Sequence, residues 1–136
     1  MFEKQIIDII SALPIVDLLS IYRGRPSIFS GSGPEDVDFP YIVINIEEIN
    51  PPDSIITRFQ LDVNVFDYGT SEKNARDISF FIVNAIDNVR INNVRYTDIR
   101  IRRDIRFKID VPDPRGIHYL IRFDARGSRY YWAKTL

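Results

Sequence analysis

The chain has 136 residues, 45% hydrophobic and 27% charged, a balance that suits one folded domain over residues 1–136 and excludes an intrinsically disordered chain. No apolar run approaches the roughly 20 residues that a membrane-spanning helix needs, and the absence of cysteine removes disulfides, thiolate metal ligands and cysteine nucleophiles. The net charge of -1 hides a split: residues 1–89 carry 6 basic and 14 acidic side chains, residues 90–136 carry 12 and 5.

If the two halves fold to different places, that split makes oppositely charged regions, suited to head-to-tail self-association or a polyanionic partner. If the halves interleave, the charges mix. At the N-terminus Phe2, Ile6, Ile9, Ile10 and Leu13 recur at three- and four-residue spacing, which predicts a short amphipathic helix over residues 2–13. Glu3, Lys4, Asp8 and Asp17 break the uncharged core that a signal peptide requires, so with no cysteine the expected setting is a reducing, intracellular one. Pro14 either interrupts this helix or opens a second turn through Leu18, Leu19 and Tyr22.

Residues 23–40 hold glycine and proline in both Arg23-Gly24-Arg25-Pro26 and Ser30-Gly31-Ser32-Gly33-Pro34, which predicts a long loop with at most a short strand at Ser27-Ile28-Phe29. Tyr41 to Ile49 reads as a strand closed by Pro51-Pro52-Asp53. Ile55 to Phe66 alternates, with Ile55, Thr57, Phe59, Leu61, Val63 and Val65 on one face, and the two strands suggest an antiparallel hairpin. Thr70 or Ser71 caps a helix running to about Asn88, with Ala75, Ile78, Ile82, Ala85, Ile86 and Val89 as its buried stripe and Phe81 beside them.

Val94 to Ile109 is the most periodic stretch. Ile99, Ile101, Ile105, Phe107 and Ile109 alternate with Arg100, Arg102, Asp104, Arg106 and Lys108, which predicts one dry and one charged face. Arg103 breaks the apolar side and marks either a bulge or a subunit contact. A last strand follows the turn at residues 111–116, with Ile117, Tyr119, Ile121, Phe123 and Ala125 as its dry face. The expected fold is therefore α+β: a mostly antiparallel or mixed sheet of four to five strands, with two main helices packed on one face.

Candidate chemistry is sparse. His118 is the only histidine and falls on a polar strand face with no convergent partners in sequence, so a solvated or hydrogen-bonded imidazole is expected. Glu35-Asp36-Val37-Asp38 lacks the spacing of an EF-hand, and Gly31-Ser32-Gly33 lacks the helix and lysine of a phosphate loop. No catalytic signature appears, so no enzyme activity, catalytic residue, cofactor or metal site is expected. The features with weight are surfaces. Arg100, Arg102, Arg106 and Lys108, with Arg122 and Arg126 beside them, form a basic stripe interrupted by Asp104 and Asp124. It suits a protein interface or a solvated sheet face with cross-strand ion pairs better than a nucleic-acid module on residues 100–108. Tyr130, Tyr131 and Trp132 cannot all enter one face of a strand, which leaves at least one for a neighbour.

The order of these pieces is also familiar. A helix precedes a Gly/Pro loop ending in the apolar strand FPYIVI, Phe39 to Ile44. Then come the strand TRFQLDVNVFDYG, Thr57 to Gly69, the helix SEKNARDISFFIVNAID, Ser71 to Asp87, and the late strand IHYLIRFDARG, Ile117 to Gly127. This order and texture resemble the tail completion or tail terminator proteins of long-tailed bacteriophages, over most of the chain. The resemblance implies a structural virion protein that forms a ring, commonly a hexamer. Such a ring caps the tail tube, meets the head connector and passes DNA through its lumen without reading sequence. It implies a place in the tail or neck of the virion, after assembly in the host cytoplasm, and no membrane partner. The arginine-rich strand and aromatic C-terminus depart from the family pattern and leave a head–tail adaptor or other neck position open. A ring needs two unlike patches that fit each other. Arg100, Arg102, Arg103 and Arg106 are the expected basic patch, Asp36 and Asp38 the expected acidic one, and Tyr130, Tyr131 and Trp132 further candidates for contact.

Overall fold

The computed structural model describes residues 2–49, 56–92 and 96–129. The fold is α+β. Helix α1 (Glu3–Ser11) is followed by a 3-10 turn (Pro14–Leu18), the small hairpin β1 (Ile21–Tyr22) and β2 (Arg25–Pro26), and the short strand β3 (Ile28–Ser30). Then come β4 (Tyr41–Glu48), β5 (Ile56–Tyr68), helix α2 (Lys73–Ile86), β6 (Arg90–Ile91), β7 (Tyr96–Ile109) and β8 (Gly116–Arg129). The main sheet has the order β3-β4-β5-β8-β7-β6, and only β3 against β4 is parallel. Six strands exceed the four to five expected, because the two-residue β6 after α2 carries no pattern of its own; the short strand expected at Ser27-Ile28-Phe29 forms one residue later, as β3. Gly24 and Gly31 take the positive φ values (80° and 85°) that their turns require, and the chain between them makes β2 and β3. Pro14 sits in the first turn of the 3-10 helix, where its missing N–H costs nothing.

Both helices cover one face of the sheet. Phe2, Ile6 and Ile10 of the N-terminal segment and Ala75, Ile78, Ile82 and Ile86 of α2 join Ile42, Ile44, Phe59, Leu61, Val63, Val65, Ile121 and Phe123 in one apolar cluster. Each large side chain buried there contributes about 1.5–3 kcal/mol. Phe59 lies between two edge-on rings, Phe2 at 5.2 Å and Tyr96 at 5.0 Å between centroids. The stripe expected for α2 holds at Ala75, Ile78, Ile82 and Ile86, but Phe81 is exposed and Val83 takes its place. Successive helical residues sit about 100° apart, so Phe80 and Phe81 cannot both reach a face already filled by Ile78 and Ile82.

The largest departure from expectation is in β7. Its pairing with β8 shifts register between Arg103 and Ile105, so Asp104 is an extra residue with no partner of its own. Before the bulge Ile101 lies opposite Ala125 and points into the core; after it Ile105 lies opposite Arg122, Phe107 opposite Leu120 and Ile109 opposite His118, on the other face. One extra residue exchanges the faces of everything beyond it. The single dry face expected over Val94 to Ile109 is therefore two half-faces pointing opposite ways. A second irregularity, between Thr97 and Arg100, centres on Asp98 at φ 51°. Its N–H donates to Asn92 Oδ1 at 2.7 Å and its carboxylate accepts from Arg100 Nε at 3.1 Å.

Candidate functional site

The strand order separates the charged halves of the sequence. β3, β4 and β5 come from the acidic half; β8, β7 and β6 come from the basic half and lie together at the other side of the sheet. The two halves meet at the β5–β8 seam, on the face away from the helices. There Arg122 is held bidentately by Asp62 (2.9 and 3.2 Å), which pushes the guanidinium pKa up. Beside it Asp124 lies 3.3 Å from both Arg58 and Arg126. Partly exposed pairs of this kind contribute about 0–1 kcal/mol each and mainly fix cross-strand register.

The expected basic stripe is divided by the bulge. Arg100 and Arg102 lie opposite Arg126 and Asp124 on the outer face, whereas Arg103, Arg106 and Lys108 lie opposite Phe123, Ile121 and Tyr119 on the helix side. Lys108 is bonded to Glu72, at the start of α2, whose other carboxylate oxygen accepts from Tyr119 Oη at 3.0 Å. Those two hydrogen bonds, Lys108 first, hold the Glu72 carboxyl below its usual range. This contact anchors the far half of β7 to α2. Among the described residues Arg102, Arg103 and Arg106 have no ion-pair partner.

Asp36 and Asp38 lie before β4, at the opposite side of the sheet from β7. Asp36 accepts from Tyr22 Oη at 3.0 Å, and the main-chain carbonyl of Asp38 accepts from Ser20 Oγ at 2.6 Å. These contacts pin the acidic loop to the small hairpin and to the residue just before it. The acidic and basic candidates are thus not brought together within one copy. Tyr130, Tyr131 and Trp132 fall outside the described residues.

The outer face has a second, aromatic part. Tyr41, Phe66 and His118 stack in a row across β4, β5 and β8, with centroids 4.9 and 4.3 Å apart, and Phe39 packs between Tyr41 and Tyr68. His118 Nε2 lies 2.8 Å from Asn64 Oδ1, and burial pushes the imidazole pKa down. Among the described residues no group of three or more His, Asp or Glu could hold a metal ion. A groove of about 920 Å³ between α1, the small hairpin and β3 is lined by charged and aromatic side chains such as Lys4, Asp8, Tyr22 and Arg25.

Sequence reasoning missed the exposed apolar groups. Phe80 and Phe81 on α2 are 54% and 45% exposed, Ile105 and Phe107 on β7 46% and 39%. A shallow cleft of about 400 Å³ lies between Phe80 and Ile105, lined also by Val83, Asn84 and residues 103, 104 and 106. The doublet Phe80-Phe81 was a readable signal; the exposure of Ile105 and Phe107 was not, since it depends on which residue bulges. The main chain is exposed here too. β6 pairs only with Ile99 and Arg100, so beyond Arg103 the outer side of β7 carries no strand among the described residues.

No protein-family model matches the chain, and no curated protein matches it in sequence. The fold is nevertheless similar to that of a chain in a solved structure described as the virion of a native gene transfer agent particle. The TM-score is 0.72 at 9% identity, over 93% of each chain. At that identity the likeness is one of fold: this α+β architecture is shared, over nearly its whole length, with a component of an assembled particle.

Proposed function

We propose that this chain is a structural component of a phage-like virion, and that its role is that of a tail terminator. Copies close into a ring, commonly six, that caps the tail tube and meets the head connector, with DNA passing through the lumen. The observation that carries this is the partition of the sheet. One side is built from the acidic half of the sequence and the other from the basic half, and Arg102, Arg103 and Arg106 on the basic side lack ion-pair partners among the described residues. Two unlike sides on one rigid sheet suit heterologous, head-to-tail contact, which closes into a ring when the rotation between copies divides a full turn. The fold shared with a virion chain and the order of elements that resembles tail terminators support the same reading. A head–tail adaptor at the neck would use the same two sides.

A nucleic-acid module has less support. Arg100, Arg122 and Arg126 are each paired with a carboxylate, and the half-buried Tyr41, Phe66 and His118 of the outer face stack on one another.

Light scattering after size exclusion, with electron microscopy of the same fractions, tests the ring. Rings of one size are expected, and a monomer at every concentration, with or without tail tubes, removes the proposal. The double substitution Arg102→Glu and Arg106→Glu should raise the concentration needed for half-assembly at least tenfold. Unchanged assembly would show that these arginines lie outside the contact.

A further inference from the structure

We infer that neighbouring copies join by main-chain strand pairing, the free edge of β7 in one copy adding to the free edge of β4 in the next. This rests on the ring reading and names its contact.

The two edges can be read from the hydrogen bonds. Ile42 N–H donates to the Ser27 carbonyl and Gly31 N–H to the Ile44 carbonyl, both at 2.9 Å, so even-numbered residues of β4 turn their main chain toward β3. β3 ends at Ser30, opposite Ile44. Beyond that point β4 is the outermost strand, and Ile46 directs its N–H and C=O outward. At the other side, Ile101 exchanges main-chain bonds with residues 88 and 89, and Arg103 N–H reaches Asp87 Oδ1 at 2.8 Å. After the bulge the phase changes: Ile105, Phe107 and Ile109 face β8, and Arg106 and Lys108 direct their main-chain groups outward. Among the described residues nothing accepts or donates to these outward groups.

Charge selects which edges pair. The open stretch of β7 carries Arg103 and Arg106, neither ion-paired among the described residues, and Lys108, already bonded to Glu72, against one acid, Asp104. The open stretch of β4 carries Glu47 on the outer face and Glu48 on the helix side, the side where Arg103 and Arg106 lie. Two β7 edges would set arginine and lysine against each other, and two β4 edges would set glutamates together. Like charges directly opposite across a ladder destabilise it. Only β7 with β4 is complementary, and that pairing is head-to-tail, the kind that propagates or closes instead of stopping at a dimer. The same charges explain how an open edge avoids indiscriminate pairing. The exposed Phe80, Ile105 and Phe107 beside the β7 edge supply apolar area for the contact.

The cysteine-free chain permits a direct test, since any introduced thiols are the only ones. Asn45 and Glu47 lie on the outer face of β4, and Ile105 and Phe107 on the outer face of β7. Directly opposite residues in a ladder bring Cβ atoms to about 4.5–5.5 Å, close to disulfide distance. Four double variants, pairing Asn45→Cys or Glu47→Cys with Ile105→Cys or Phe107→Cys, cover the neighbouring registers. Under mild oxidation at least one should form a covalent ladder that ends at the ring, and a mixture of its two single variants should give a dimer that neither gives alone. Arg106→Pro removes an outward N–H without touching the β8 ladder, so it should keep its thermal transition and lose at least tenfold in assembly. Rings that persist with no cross-link in any variant, or with Arg106→Pro assembling as before, overturn the edge contact and leave the ring standing. Efficient disulfides in a single Phe107→Cys variant overturn it as well, in favour of like edges. A wild type that never assembles overturns both.

Discussion

The two halves of β7 share one sequence pattern and have opposite fates. In the first half Ile99 and Ile101 are fully buried, packed with Ala125 and Phe123 under α2. In the second half Ile105 and Phe107 stand 46% and 39% exposed, with the charged Arg106 and Lys108 on the helix side where isoleucines would be expected. Nothing in the alternation itself distinguishes them. The difference is one unpaired residue, Asp104, and it teaches that an apolar period of two locates a strand without saying which face is dry along its whole length. The buried half holds the molecule together; the exposed half is available to a neighbour.

Deletions should separate the halves most sharply. Removing Asp104 takes out the residue with no partner and leaves every β7–β8 pair as it is, so the variant should fold with little change in its unfolding midpoint. Removing Arg102 instead shifts either the isoleucines before it or the pairs after it by one residue. Losing two core isoleucines at about 2–5 kcal/mol each exhausts the stability of most domains. The measurement is denaturant unfolding of the two deletions side by side. Equal damage from both would mean that Asp104 is not the extra residue.

Point substitutions give a smaller version of the same contrast. Ile101→Ala leaves a hole among fully buried neighbours and should cost about 2–5 kcal/mol. Ile105→Ala should change monomer stability by about 0.5 kcal/mol or less, in the range of surface substitutions, and show its effect in assembly instead. Urea midpoints settle the first number and light scattering the second. A large loss of stability from Ile105→Ala would put that side chain in the core.

Much of this was legible in the sequence. The buried alternation of β5 and β8 and the α2 stripe at Ala75, Ile78, Ile82 and Ile86 follow from periodicity, because each has one face wholly against the core. So does the packing of both helices on one side. β3 was half-legible, as a short strand at residues 27–29 within a long loop; β6 was not, since two residues after a helix carry no period and the strand exists because β7 offers it an edge. The site was legible only in part. The arginines of residues 100–106 and the charge split were plain, but which arginines share a face depends on the bulge, and the open edges depend on how far β3 and β6 extend. Those are tertiary facts, set by pairing partners far away in the chain.

His118 tests the outer face at the exposed half of β7, since it lies opposite Ile109 and stacks on Phe66. Burial lowers its folded pKa below the usual 6.5. The unfolded chain then takes up a proton at a pH where the folded chain stays neutral, so unfolding is favoured as the pH falls through that window. Stability should therefore be full above about pH 7, decline below 6.5, and level off once the folded imidazole is also charged. His118→Gln removes the titrating group and should flatten this decline between pH 7.5 and 5.5 relative to the wild type, a range chosen to lie above ordinary carboxylate titration. The readout is the difference between the two proteins in urea unfolding free energy at the two pH values. Identical pH dependence would mean that the imidazole is as well solvated in the fold as in the open chain, and that this end of the outer face is wet.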